Sequence, residues 1–518
     1  MTGAGLGGIN AAVAALKQGY KVLLTEETDW IGGQITSQGV PPDEHPWIEK
    51  AGCTASYRKY RNKIRDFYKE NLPLTDEFKN AEYLNPGQAS VSHLSHDPRI
   101  ALHIFNEMLL PYLCNSSLTL MLNTKPIGAH RTGRLVKSIT LDNTGELIVV
   151  EADYFIDATE TGYLLPITGT GYVKGAESKK DTGEMSAPDE ADSDEMQPIT
   201  WVCAVDYDPN GDHTIDKPAE YDFYKKLDAP FGDCKVISWY GPEFGDPPDF
   251  LGNKKRKFKM FDGDEPKELF PLWSYRRIAC KDMCKDGFIP TEITFINWPQ
   301  NDYFLDNIYE TGDDERNIYM AKQLTLSLIY WLQTEAERPD GGKGYKGVRM
   351  RGDITGTEDG LAKAPYIRES RRIKAEFTML QQHIAAELTD KPTEYFDSVG
   401  VGCYRIDLHL TTRKRRHFFQ KSWPFELPLG SFISTDTDNV IPGCKNIGTT
   451  QLTNGCCRVH PSEWNIGEAA GHIASFALKK KIPPTKIRNN PEMLKEFLDV
   501  LVNNGFQLHW DKDLIYPV

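Results

Sequence analysis

A chain of 518 residues, 40% hydrophobic and 26% charged, has room for two or three domains and is too apolar for a disordered protein. Its 60 Lys and Arg against 74 Asp and Glu leave a net charge of -14, which argues against nucleic acid or an anionic membrane as partner and favours a small-molecule substrate. No stretch of about 18 apolar residues predicts a membrane span and no basic-apolar leader is visible, so a cytoplasmic location is expected. Ten cysteines without dense, even spacing read as reduced core residues, and Cys280 and Cys284 lack the second pair that a metal site of this type needs.

The first ten residues, MTGAGLGGIN, carry Gly3, Gly5 and Gly8 at the G-x-G-x-x-G spacing of a dinucleotide-binding βαβ unit. INAAVAALKQGY then predicts a helix ending on Gly19, and KVLLTEE predicts a short strand. Such glycines give a tight turn and let backbone N–H groups and a helix N-terminus approach a pyrophosphate. Glu26 follows Gly3 by roughly twenty residues, where an acid hydrogen-bonds the adenosine ribose. The strand that normally feeds such a turn is expected upstream of Met1, because burying its apolar side chains contributes roughly 1.5–3 kcal/mol each.

TDWIGGQITSQGV places Gly32, Gly33 and Gln34 just after this unit, a second point of close backbone approach that favours FAD over NAD. Residues 134–159 predict two alternating strands across an Asn143-Thr144-Gly145 turn, then a strand ending in Asp157-Ala158-Thr159, with Glu160 where a glycine is usual. Near the C-terminus, Gly467 and Glu468 are read as the mouth of a small-residue helix that holds the ribitol and aims its N-terminus at the flavin.

These elements, with VPPDEHPWIE at 40–49, FIDATETGYLLPITGT at 155–170, INWPQNDY at 296–303, LAKAPYIRESRRI at 361–373, GCYRIDLHL at 402–410 and the 445–471 segment KNIGTTQLTNGCCRVHPSEWNIGEAAG, resemble a family of FAD-dependent oxidoreductases within the glutathione-reductase-type superfamily, found in bacteria and fungi. The resemblance runs nearly end to end and makes Glu160 a family feature. It implies an α/β fold: a Rossmann-like FAD-binding domain, with parallel sheet and β-meander, carrying an inserted α+β substrate domain. The expected boundaries are 1–40, 98–170 and 430–482 for the FAD domain, 41–97 and 171–429 for the substrate and cap domain, and 483–518 for a tail with a helix near 491–502. The resemblance implies no particular substrate.

A flavin oxidoreductase needs a base for the substrate's proton, and histidine is the natural choice. His460 in RVHPSEW is the first candidate, beside the flavin ring or else orienting its loop. His409 follows Asp407 on one face of a strand, so a carboxylate can orient the imidazole. His45 lies in the segment expected to cross the front of the flavin. In RESRRI, Arg368, Arg371 and Arg372 stand at helical spacing, either to clamp a substrate carboxylate or to form an ion-pair lattice between domains. Trp298, Tyr303 and Tyr366 are read as a pocket lining or as core. Cys456 and Cys457 raise the idea of a redox-active vicinal disulfide. Residues 174–198 read as a polar surface loop or lid, and NKKRK at 253–257 as a solvated basic turn.

The leading function is removal of a hydride from a small organic substrate, with the reduced flavin reoxidised by dioxygen or another acceptor. A flavin monooxygenase using NAD(P)H and a flavin-binding protein without turnover are the alternatives.

Overall fold

The computed structural model describes residues 1–243, 255–285, 287–513 and 515–518. Helix α1 spans Leu6–Lys17 and strand β1 Val22–Thr25, as the glycine turn and the apolar run dictate. Helices α2 (Ala55–Asn71) and α3 (Pro98–Cys114) follow, then β2 (Leu118–Met121). Strands β3 (Thr124–Thr132), β4 (Leu135–Asn143) and β5 (Glu146–Glu151) form the antiparallel meander, and β6 (Phe155–Asp157) returns the chain to the main sheet.

That sheet is parallel. β2 pairs with β1, and β6 pairs with a strand contributed from far downstream, Val440–Pro442. Between β1 and β6 lie Met1 and Thr2, with Thr2 bridged in parallel to both Thr25 and Asp157. A cavity of about 320 Å³, walled by Val22, Leu23, Phe155 and Ile156, extends this line below Met1.

The middle of the chain builds a separate four-stranded sheet. Its strands are β8 (Cys203–Tyr207), β9 (Arg277–Ala279), β10 (Ile293–Ile296) and β12 (Val348–Met350), in the order β9-β10-β8-β12. A short pair, β7 (Ile199–Thr200) with β11 (Asp302–Tyr303), flanks it, and helix α4 (Asp314–Thr334) contributes Leu324 and Leu328 to its core. Trp298 and Tyr303 belong to this core. Tyr303 donates to Asn317 Oδ1 at 2.8 Å, so neither lines a pocket in the way the sequence suggested for the aromatic set.

The last third supplies β13 (Ile406–Leu408) paired with β14 (Phe418–Gln420), then β15 (Val440–Pro442), α5 (Gln451–Cys457), α6 (His460–Lys480) and the tail helix α7 (Pro491–Asn503). The expectation that Gly467 and Glu468 open a helix does not hold, because both lie inside α6. A Cβ on Gly467 would sit 2.1 Å from the Gly7 carbonyl oxygen, and one on Gly471, a turn later, 2.3 Å from that of Ala11. The small residues let α6 cross α1 backbone to backbone. Glu468 instead accepts a hydrogen bond from Ser56 Oγ at 2.5 Å, tying α6 to α2.

Three further expectations change. The RESRRI segment is extended, not helical, because each arginine is drawn to a different acid: Arg368 to the buried Asp302, Arg371 to the exposed Glu310, and Arg372 to Glu369 and Glu177. This is the ion-pair lattice. Residues 179–193 run largely along the surface, but two acids of the 174–198 segment turn inward: Glu195 sits on Arg416 at 2.5 Å, and Glu184, inside the surface stretch, accepts from Gln381 N and Thr450 Oγ1. Of NKKRK, Asn253 and Lys254 lie outside the described residues, while Lys255–Lys259 form a strand with Arg256 over the Phe270 ring.

Gly467→Val forces a branched side chain into the α1–α6 crossing. A loss of at least about 3 kcal/mol is expected, measured by denaturant unfolding, and unchanged stability would contradict the backbone-to-backbone crossing.

Candidate functional site

A channel of about 360 Å³ opens where the parallel sheet ends over α1. Gly3, with φ +85°, turns the chain there, and a Cβ on it would fall 2.4 Å from the Ala158 carbonyl oxygen. Gly5 caps α1 without a side-chain bond, so the first N–H groups of the helix are available to an anion. Gly33 faces Gly5 across the channel, and a Cβ on Gly33 would lie 2.8 Å from the Gly5 Cα. This is a cradle that side chains would fill.

Glu26 ends β1 on the channel wall. Its Oε2 accepts from Ala4 N at 2.8 Å, and its Oε1 from Thr28 N and Oγ1 at 3.1 Å. Burial pushes its carboxyl up to about 7. These bonds fix the carboxylate and leave acceptor capacity for a pair of ribose hydroxyls. Ala158, Thr159 and Glu160 form the wall beside it. The donor set, the cleared backbone and the acid match what a dinucleotide requires.

The other expected cofactor residues support this cradle from behind. Gly8 is packed so that a Cβ would meet the Gly3 carbonyl at 1.8 Å, and Gly32 N donates to Ala4 O at 2.8 Å. Gln34 is turned away from the channel to Arg458 O at 3.1 Å and Glu463 Oε2 at 2.5 Å. Asp157 does not reach the channel either. Its carboxylate accepts from Thr159 N and Oγ1 and from Leu164 N, holding the turn after β6, and burial pushes it up to about 6.

On the far side of the segment 364–368 lies a second cluster. Ala364, Pro365 and Ile367 line the channel, whereas the Tyr366 hydroxyl accepts from Arg458 at 2.7 Å and Arg368 reaches Asp302 at 2.9 Å. Asp302 Oδ2 accepts from His409 Nδ1 at 2.6 Å, and Asp407 Oδ2 lies 3.6 Å from His409 Nε2 and 3.1 Å from Arg458. Nearby Arg276 pairs with Asp43 at 3.2 Å. Asp302 and Asp407 are both held below the usual carboxylate range by His409 and an arginine, against the cost of burial. Tyr404 donates to Asp407 Oδ2 at 3.4 Å. The sequence signals for this cluster were the Asp407/His409 spacing, Arg368 in RESRRI and the aromatic Tyr366. Asp302, Arg458, Arg276 and Asp43 come from separate segments and left no local signature, whereas Tyr404 lies three residues before Asp407 in the same segment.

The remaining candidates fall elsewhere in role. His460 is fully buried, with Asp43 N donating to Nδ1 at 2.9 Å and Nε2 donating to Val40 O at 3.1 Å. Both nitrogens bond backbone groups and burial lowers its pKa to about 4, so it staples the 40–43 loop to α6. His45 bonds Gly52 O at 3.1 Å through Nε2 and packs edge-on against Trp510; burial lowers its pKa to about 4. Cys456 and Cys457 are free thiols inside α5, Cys456 bonded to Thr453 O, so no vicinal disulfide is present. Among the described residues no helix is long and apolar enough to cross a membrane.

The chain is 11% identical to a geranylgeranyl bacteriochlorophyll reductase-like protein of Thermoplasma acidophilum, over 98% of this chain and 83% of that one, with a TM-score of 0.33. It is 10% identical to the myxobacterial chondrochloren halogenase CndH, over 99% and 83%, also at 0.33. Against L-proline dehydrogenase from P. horikoshii the identity is 16% and the TM-score 0.17. There the chain spans 34% of its own length and only 22% of the dehydrogenase. No curated protein matches the chain. The sequence model of the FAD dependent oxidoreductase family matches residues 1–498, so the chain belongs to that family and FAD is its cofactor.

Proposed function

We propose that this FAD-dependent oxidoreductase, of the glutathione-reductase type, takes a hydride from a small organic substrate bearing a C–H next to an O–H or N–H group, and that His409 receives the accompanying proton. The cofactor domain is placed at 1–40, 98–170 and 430–482 and the substrate domain at 41–97 and 171–429, with dioxygen or another acceptor reoxidising the flavin. Bound FAD supplies the hydride acceptor. Glu26 holds the ribose, and the Gly5 and Gly33 backbone with the α1 N-terminus holds the diphosphate.

The carrying observation is the imidazole set between two buried carboxylates, one strand away from the cofactor channel. Asp302 fixes the ring through Nδ1, and Asp407 stands 3.6 Å from Nε2, so the imidazolium formed by proton uptake is stabilised from both sides. His409 keeps 18% of its side-chain surface accessible, unlike His460. Tyr366 accepts from Arg458 and so directs its own hydrogen toward a substrate oxygen.

Anaerobic mixing with alcohols, amines and hydroxy acids, one class at a time, tests the reading. Loss of flavin absorbance without a nicotinamide supports it, and reduction by NAD(P)H alone overturns it in favour of a monooxygenase. His409→Gln is expected to slow this bleaching by about 10²–10⁴-fold while FAD content and spectrum stay unchanged. Gly33→Val, which places side-chain carbons against Gly5, is expected to leave less than about a tenth of the FAD in purified protein, read from flavin absorbance.

A further inference from the structure

Glu160 stands directly after Thr159 on the wall of the channel. Its Oε1 lies 2.8 Å from where a Cβ on Gly5 would be and 2.7 Å from where one on Gly33 would be, so the carboxylate reaches the space these two glycines clear. That oxygen is buried and has no hydrogen-bond partner among the described residues. Oε2 pairs with Lys445, a fully buried lysine in the turn after β15, whose second partner is Glu463 Oε2 of α6 at 3.2 Å. Glu463 Oε1 is likewise buried without a partner.

Around this cluster stand the Cys444 thiol, 3.4 Å from Lys445 Nζ, and Tyr309 with Arg371 4.8 Å over its ring. Glu26 and Glu27 are the further acids of the channel, with Lys125 beside Glu27, all on its other wall away from Lys445. One buried cation therefore faces the buried Glu463 carboxylate and the partly buried Glu160 carboxylate, and the latter, nearer the channel, offers a bare oxygen to whatever lies between Gly5 and Gly33. Nothing in the general requirements of a dinucleotide cradle calls for an acid there.

We propose that Glu160 makes FAD binding proton-linked: a diphosphate at the Gly5–Gly33 gap lies against the Glu160 carboxylate, and the Glu160–Lys445–Glu463 cluster takes up one proton as the cofactor enters. The inference rests on the diphosphate placement given under Proposed function. A like charge within a few ångströms favours the neutral carboxyl. Burial first, and then Glu160, already push the Glu463 carboxyl up, so the cluster has a group ready to hold the proton. The complex then binds more protons than its separated parts, so its dissociation constant rises as pH rises. Removing the Glu160 charge removes both the penalty and the slope.

The test strips FAD from the full chain by bromide dialysis and titrates FAD back between about pH 6 and 9, reading the quenching of flavin fluorescence. Wild-type Kd is expected to rise by up to about tenfold per pH unit above neutrality. Glu160→Gln is expected to bind FAD at least about tenfold tighter at the alkaline end, with a flat profile. Glu463→Gln, which leaves Lys445 and Glu160 as a neutral pair, flattens the profile as well and serves if Glu160→Gln does not fold. Glu26 titrates identically in all three proteins, so the difference between them isolates the cluster. A Glu160→Gln protein that keeps the wild-type slope, or binds FAD more weakly, overturns the role of Glu160. If Gly33→Val binds FAD normally, the diphosphate placement fails and the proposal with it. If Gly33→Val loses FAD while Glu160→Gln keeps the slope, the placement stands and only the proton linkage falls.

Discussion

A charge taken out of water has to be met by an opposite charge and by hydrogen bonds, and this requirement organises the region around the cofactor channel. Arg276, Arg368, Arg372, Arg458 and Lys445 are all buried. Each is paired with an acid from another segment: Asp43, Asp302, Glu177, Asp407 and Glu160 respectively. Breaking such a pair by removing one partner typically costs about 3–5 kcal/mol, because the other charge is stranded. The pairs therefore act as fixed points. They pin the 40–43 loop, the 364–368 segment and the loop after β15 at defined places on either side of the channel.

A second constraint is spacing between backbones. α1 presents its N-terminus to the channel only because α6 and the β15 turn lie close against it, through Gly467 and Gly471 on one side and Gly443 against Gly7 on the other. Glycine is used here for closeness, not for a special backbone angle. The same residue type does different work at Gly3 and Gly33, where φ is positive and the chain turns. Spacing in the sequence does not separate these uses, and that is why IGEAAG reads equally well as a helix mouth and as a helix crossing.

What was legible in the sequence was local. The turn, helix and acid of residues 3–26, the hairpin within 134–151 and the tail helix each depend on neighbours within a few residues, so periodicity and turn chemistry reveal them. The cluster at His409 was half legible, because Asp407 is two residues away while Asp302 is 107 residues distant along the chain. RESRRI misleads for the same reason. Arginines at helical spacing imply a helix only if their partners lie on that helix, and here, Glu369 apart, the acids are supplied by residues 177, 302 and 310. Composition misleads at 174–198, where acidity suggests solvation but Glu184 and Glu195 are spent on buried donors and an arginine.

The two histidines in the site show how context, and not residue type, divides structural from chemical work. At His460 the partners are a backbone N–H and a backbone carbonyl, which together fix one neutral tautomer. Accepting a proton there would break the bond from Asp43 N and place a cation beside Arg276, and burial already opposes that charge. At His409 the partners are carboxylates, whose attraction grows when the ring becomes cationic. At His460, by contrast, burial and the neighbouring Arg276 oppose a charged ring. The loop that His460 secures carries Asp43, the partner of Arg276, so the structural histidine contributes to chemistry only by holding that charge in place.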